Sequence, residues 1–282
     1  MTAKPASSTG ASTTGSEQRS GVRIGLPWHW LLFYGGILAA WGLLIVAHVG
    51  QADLLAARDS FGAAVWRALC APVGDGGTVW TLWPMWLLMS AAMMAPTLAP
   101  ALRTFDDFVR GQVSGRVDFL RFLAGYLAIW AVAAAVGAFT QLNLLRLGLV
   151  DPLGQSVSLW LNAGLLVMAG LYQFSPVKDA CLTACRRPML FFMQHWEEGP
   201  IRMGLRMGLL CLACCWALML LAFVGGMLGL GWMALAALLM TLEKMPELGR
   251  WLTWPMGAGL VASGLTTAIA AALTTAIAAA LI

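Results

Sequence analysis

The sequence predicts an all-α integral membrane protein, folded as a polytopic bundle of about seven transmembrane helices. Hydrophobic residues make up 60% of the 282-residue chain and charged residues only 11%, whereas a soluble domain carries about 25% charged residues. Seven apolar segments approach the roughly 20 residues that a helix needs to cross a bilayer. They are residues 28–49, 80–101, 119–141, 157–176, 204–223, 225–242 and 255–280.

The chain before the first apolar segment has a different composition. Residues 1–25 are rich in Ser, Thr, Gly and Ala, and such a segment cannot bury a core. We expect a disordered cytoplasmic tail there and a transmembrane helical domain over residues 26–282. The first apolar segment is long enough to span, so we expect a retained helix rather than a cleaved signal peptide. A net charge of +4 is too small to indicate nucleic acid as a partner, which leaves the lipid bilayer.

The basic residues predict an orientation. With the N-terminus inside and the C-terminus outside, 14 of the 17 Lys and Arg residues lie on the cytoplasmic side, as the positive-inside rule expects. The cysteines after residue 180 then lie towards the cytoplasm, where thiols stay reduced. Metal ligation or packing is therefore favoured over a structural disulfide, and Cys70 alone faces the outside.

The fifth apolar segment carries a row of sulfur atoms. Cys211, Cys214 and Cys215 fall within five residues, and Met207 precedes them by one helical turn. At about 100° per residue these four side chains share an arc of roughly 100°. Thiolates and thioethers select soft ions such as Cu(I), so the row predicts metal or redox chemistry. The alternative is that these side chains only pack, because free Cys is often buried.

A second pair of cysteines follows the fourth apolar segment. Cys181 and Cys185 are four residues apart, so they point the same way in a helix and one ion could bridge them. The neighbouring Arg186 and Arg187 are expected to lower the pKa of both thiols. Two buried small side chains at a helix end would be the simpler interpretation.

The second apolar segment presents a methionine stripe, Met85, Met89 and Met93, at four-residue spacing. Pro96 and Pro100 follow and are expected to break or kink the helix, which frees carbonyl groups that a neighbour or an ion must satisfy. Methionine is also a common filler of helix-bundle cores. Packing and a weak copper-binding path both remain open for this stripe.

Other residue patterns are less informative. The chain has neither a Gly-rich phosphate loop nor a Ser/His/Asp or HExxH arrangement, so we do not expect an enzyme. His29, His48 and His195 lack ligand spacing, although His195 could approach the cysteines. Glu243 and Lys244 end the sixth segment, where an interfacial ion pair is expected.

Together these segments resemble a bacterial family of predicted metal-binding integral membrane proteins, some of which are linked to copper delivery to polyphenol oxidase (tyrosinase-type) enzymes. Most of residues 80–245 carry the resemblance, in order. The matching features are Trp86, Met89, Ala92, Met93, Met94, Pro96 and Pro100, then AGLYQFSPVKDACLTACRRP at 169–188, CLACCWALM at 211–219, Trp232-Met233 and Glu243-Lys244. Two positions depart from the family pattern: Met207 stands where His is common, and Leu228-Gly229 where Met-Asn is common.

The resemblance implies a copper chaperone or insertion factor in the bacterial inner membrane, with Cu(I) as its metal and a cuproenzyme such as polyphenol oxidase as its partner. A homo-oligomer is also compatible with it. The rivals are a membrane thiol-disulfide oxidoreductase, a Cu(I) transporter and a metal-free scaffold. The metal ligands that we predict are Cys181, Cys185, Cys211, Cys214, Cys215, Met85, Met89, Met93 and Met207.

Overall fold

The computed structural model describes most of the chain beyond the predicted tail. The described residues are 28–55, 60–70, 78–110, 112, 114–226, 229–245 and 247–281. The predicted tail therefore lies outside the described residues, and so does the side chain of Cys70.

The described residues form α-helices joined by short connections. A 3₁₀ turn at Trp196–Glu198 and one isolated bridge between Val150 and Ser156 add to them. In chain order the helices are α1 Trp28–Leu55, α2 Phe61–Cys70, α3 Val79–Val109, α4 Gly115–Arg146, α5 Leu159–Gln173, α6 Pro176–Arg186, α7 Pro188–His195, α8 Pro200–Leu220, α9 Ala222–Gly225, α10 Leu230–Glu243 and α11 Gly249–Ala280.

The prediction of an all-helical membrane protein is confirmed by five helices long and apolar enough to cross a bilayer. They correspond to α1, α3, α4, α8 continued through α9, and α11. Two further predicted spans coincide with α5 and α10, which have 15 and 14 residues, fewer than the roughly 20 of a full crossing. The number of seven spans and the N-in, C-out orientation therefore remain predictions.

The fourth predicted segment ends earlier than its hydropathy indicates. Helix α5 stops at Gln173, and α6 begins after the break. The Ser175 side chain accepts a hydrogen bond from the Val177 N–H, and Pro176 takes the first helical position, where its missing N–H costs nothing. Cys181 and Cys185 thus lie on the separate helix α6 rather than at the end of the fourth span.

Helix α3 runs without interruption through Pro84, Pro96 and Pro100, so the prolines do not break it. Pro96 has no N–H for the carbonyl of Ala92, four residues earlier. The indole N–H of Trp41 on α1 donates to that oxygen at 3.0 Å. The expectation that a neighbour satisfies a freed carbonyl is met here, and the contact ties α1 to α3.

The centre of the bundle is formed by α3, α4 and α8, whose inward faces are buried. Helix α7 covers one end of this group through Phe192, which lies 5.4 Å from Phe105 of α3 and 5.5 Å from Phe122 of α4, ring centre to ring centre. Helix α10 brings its last residue, Glu243, into the buried region. The three central helices and the end of α10 together position the site described below.

Helix α11 lies at the periphery and packs mainly on α5. A Cβ atom on Gly170 would lie 2.9 Å from the carbonyl oxygen of Gly257, and one on Gly264 would lie 3.0 Å from that of Ala163. Such close approach of two backbones is the packing that small residues allow in membranes. Only 11% of the spanning window of α11 is buried, so most of this helix faces outwards.

Candidate metal centre

Three cysteines on one face of α8 form the centre of the candidate site. Cys211, Cys214 and Cys215 are 2–3% exposed. The thiols of Cys214 and Cys215 donate to the carbonyl oxygen of Cys211 at 3.1 and 2.8 Å. Because both thiols donate to one carbonyl oxygen in the preceding turn of α8, they are held close to the helix that carries them.

Glycines let α4 approach α8 closely enough to reach these cysteines. A Cβ atom on Gly204 would lie 2.1 Å from the Phe122 carbonyl oxygen, and one on Gly125 would lie 2.4 Å from that of Ile201. The two backbones are therefore in direct contact where the helices cross. This crossing places the Tyr126 hydroxyl 3.1 Å from the Cys211 sulfur and lets it donate to the Met94 carbonyl at 3.3 Å.

A lysine ammonium lies against the same sulfur. Lys244 follows directly after α10, and its Nζ is 2.9 Å from Cys211 Sγ and 2.8 Å from Thr97 Oγ1. Burial alone would lower the pKa of Lys244, but the sulfurs of Cys211 and Cys214 raise it well above its usual range. Cys211 is thus contacted by one hydroxyl and one cation, which makes it the polar centre of the cluster.

The cysteines of α6 approach the same region from another side. The partly buried thiol of Cys185 interacts with that of Cys214, which raises the pKa of Cys185, and burial raises the pKa of Cys181. The expectation that the adjacent arginines would lower these pKa values was wrong. Arg186 instead donates its Nε–H to the carbonyl of Glu243 at 2.9 Å, and Arg187 lies exposed at the end of α6.

The last residues of α10 divide between two partners. The expected interfacial ion pair between Glu243 and Lys244 does not form. Glu243 pairs instead with Lys178 of α6 at 2.9 Å. Lys178 also donates to the side-chain amide oxygen of Gln173. Lys178 is 1% exposed and Glu243 2%, so this buried pair fixes α6 against α10 beside the cysteines.

The sulfur of Met94, which is not on the predicted stripe, contacts one of the cysteines. Met94 Sδ accepts from the Cys215 thiol at 3.7 Å. At about 100° per residue, Met93, Met89 and Met85 are turned roughly 100° to 180° away from Met94 around the axis of α3. These three methionines and Met207 are buried in the hydrophobic core.

The sulfurs do not already form a closed ligand set. Across the described ranges, no three His, Cys, Asp or Glu side chains are grouped to hold a metal ion. The thiols of Cys214 and Cys215 point to the backbone carbonyl of Cys211 instead of to a common centre. Ligation by several cysteines would therefore need rotation of these side chains.

A cavity of about 500 Å³ lies between α6, α7 and α8, and we call it the α6–α8 cavity. His195, which could have approached the cysteines, lines this cavity instead and bonds through Nδ1 to the Phe191 carbonyl at 2.9 Å. The other residues that line the α6–α8 cavity are Ala180, Thr183, Ala184, Arg187, Leu190, Phe191, Gln194, Arg206, Leu209 and Leu210.

Sequence reasoning missed Tyr126, Thr97 and Met94 as parts of the site, and it misassigned Lys244. The available signal was polarity in an apolar segment: Tyr126 is one of only three tyrosines, and polar groups inside membrane helices usually have a partner. Which partner each one meets depends on how α3, α4, α8 and the end of α10 pack together, and no local pattern in the sequence encodes that.

Comparison with known proteins identifies one family. Residues 83–267, about two thirds of the chain, match the sequence profile of a family described as PpoB2, copper chaperone. The matched range includes all nine predicted ligands. No curated protein and no solved structure matches the chain.

Proposed function

Because the chain belongs to the PpoB2 copper chaperone family, we propose that it binds Cu(I) among its clustered sulfurs and supplies the ion to a cuproenzyme such as a polyphenol oxidase. The five long apolar helices support a location in a membrane, and we assign the activity to the bacterial inner membrane with the N-terminus inside. The match confirms the resemblance noted in the sequence. The ligands, the oxidation state and the recipient are our proposal.

The observation that carries this proposal is the environment of Cys211. Its sulfur lies 2.9 Å from the ammonium of Lys244 in a region of low polarity. Cu(I) held by two thiolates carries one negative charge, and a buried charge needs a partner. Lys244 supplies the compensating positive charge at the place where the thiolates would be, so the site suits a monovalent ion bound by thiolate sulfur.

The sulfurs divide into a tight site and a weaker path. We assign the tight site to Cys211, Cys214, Cys215 and Cys185, since thiolate binds Cu(I) more strongly than thioether. Cys181 lies one turn before Cys185 on the same face of α6. A weaker thioether path is assigned to Met207, one turn from Cys211 on α8, and to the stripe Met85, Met89 and Met93.

The test is copper titration of the purified protein in detergent under reducing conditions. We expect stoichiometric Cu(I) in preference to Zn(II), with an X-ray absorption first shell dominated by sulfur. Changing Cys211, Cys214 and Cys215 together to Ser should abolish stoichiometric binding while the protein still inserts. Cys70→Ser, which removes a thiol from a different segment, is the matched control and should bind as the wild type does.

Two results would contradict the proposal. A shell of nitrogen and oxygen, or no bound metal at micromolar copper, would leave the sulfurs as packing residues. Loss of free thiols on isolation without bound metal would instead support thiol-disulfide exchange, and a count of free thiols beside the metal analysis distinguishes the two.

A further inference from the structure

The α6–α8 cavity is lined by residues that neighbour the proposed copper ligands along α6 and α8. On α8, Arg206, Leu210 and Cys214 occupy successive turns and rotate by only about 40° per step. Arg206 and Leu210 line the cavity, and Cys214 lies one turn further along the same face. On α6, the lining residue Ala184 directly precedes Cys185. The cavity thus ends close to the interacting pair of Cys185 and Cys214.

The cavity is lined by basic side chains and by apolar side chains. Arg187 and Arg206 contribute guanidinium groups and His195 an imidazole, while Leu209, Leu210 and Phe191 form the apolar part. Arg206 pairs with Glu198 at 2.7 Å, but both side chains are accessible, and such exposed pairs are weak. A bound anion can therefore replace Glu198 on Arg206 and also reach Arg187.

A cavity of about 500 Å³ has the size of a small-molecule site rather than of a protein interface. Soft Cu(I) in a reducing compartment is carried by thiolates. We infer that this cavity binds Cu(I) as its complex with a small thiol bearing carboxylates, and that the ion passes from there to Cys185 and Cys214. The inference rests on the proposed function and identifies the form in which the ion arrives.

The transfer is a ligand exchange without oxidation or reduction. Two Cu–S bonds to the carrier thiolates break and two Cu–S bonds to Cys185 and Cys214 form. The protons of the two cysteine thiols go to the departing carrier sulfurs, which leave as neutral thiol groups. The arginines hold the carrier's carboxylates during the exchange and release them when the carrier leaves.

The experiment compares two Cu(I) donors with the full chain in detergent. One donor is Cu(I)–glutathione, whose carrier has carboxylates, and the other is Cu(I) with 2-mercaptoethanol, whose carrier has no charge. We expect Arg187→Gln combined with Arg206→Gln to slow transfer from glutathione by roughly tenfold, the effect of losing about one charge-assisted contact. Transfer from mercaptoethanol and the final copper stoichiometry should not change.

Arg202→Gln is the matched control, because Arg202 lies one turn before Arg206 on α8 and is not among the residues that line the cavity. It should leave both transfer rates unchanged. A second variant, Thr183→Trp, fills the cavity without removing charge and should also slow transfer from glutathione selectively.

The outcomes separate this inference from the proposed function. Transfer from glutathione at the wild-type rate in the double variant would overturn the inference, and so would equal slowing of transfer from both donors. The same rates are also measured in nanodiscs that contain anionic phospholipid. If the double variant no longer slows transfer from glutathione selectively there, the cavity is a lipid headgroup site and the inference is wrong. A wild-type protein that takes copper from neither donor would refute the proposed function itself.

Discussion

Two rows of sulfur look alike in the sequence and differ in what surrounds them. Met85, Met89 and Met93 on α3 are 1–4% exposed, and the cysteines on α8 are 2–3% exposed. Both rows lie in the same hydrophobic core, but around Cys211 the structure also places the hydroxyl of Tyr126 and the ammonium of Lys244. Burial and spacing are therefore alike in the two rows, and the polar partners at Cys211 are the feature that sets the cysteine row apart.

The rows also differ in how their helices are held. Helix α8 meets α4 through glycine, with backbone against backbone, while α3 meets α1 through a long side chain, Trp41, on the carbonyl of Ala92. A side-chain contact can adjust when a neighbour changes size, and a backbone contact cannot. We therefore expect the cysteine row to depend more strongly on the exact packing of its helix.

The largest effect is expected at the crossing of α4 and α8. In Gly204→Ala the new Cβ would lie 2.1 Å from the Phe122 carbonyl oxygen, so the helices must separate, at a stability cost of about 3 kcal/mol. Thermal unfolding in detergent should show a clear loss. Gly259→Ala on α11, where nothing lies within 4 Å of the added atom, should be neutral or stabilising by up to ~1 kcal/mol. Equal stability of the two variants would contradict the close crossing.

An intermediate effect is expected from the charge beside Cys211. Lys244→Gln removes the cation that lies 2.9 Å from the Cys211 sulfur and adds no sulfur ligand. We expect Cu(I) affinity to fall by roughly tenfold, equivalent to about 1.4 kcal/mol, because the thiolate complex loses its compensating charge. Competition with a Cu(I) chelator measures this. Lys244→Arg should recover most of the affinity, and failure to do so would mean that the role of Lys244 is not its charge.

The smallest effects compare methionines on α3. Met94→Leu removes the sulfur that contacts Cys215 and should weaken Cu(I) binding a few-fold.

Changing Met85, Met89 and Met93 together to Leu should leave binding stoichiometric, yet impair copper delivery to a cuproenzyme in cells. Each replacement nearly conserves volume and should cost less than ~1.5 kcal/mol in stability. Wild-type delivery by the triple variant would show that the stripe is only core.

The helices were largely predictable because hydropathy is a local property. Each predicted span coincides with a helix, and the error at residues 174–176 arose because hydropathy continues across a break that Ser175 and Pro176 set. The cysteines of the candidate site were recognisable from their density. Their partners were not, since Tyr126, Met94 and Lys244 come from three other parts of the chain. The predicted ion pair between Glu243 and Lys244 was wrong for the same reason, because these adjacent residues at the end of α10 point to different neighbours.

The peripheral helix α11 has a length that its packing does not determine. Its 32 residues extend about 48 Å, well beyond a hydrocarbon layer of about 30 Å. The glycine contacts with α5 end at Gly264, and the octapeptide LTTAIAAA then occurs twice in succession, at 265–272 and 273–280. Residues 273–280 are exposed, so loss of this copy would shorten the helix by about 12 Å and leave those contacts intact. Whole-unit duplication or deletion at this point could thus match the protein to membranes of different thickness without redesign of its interior.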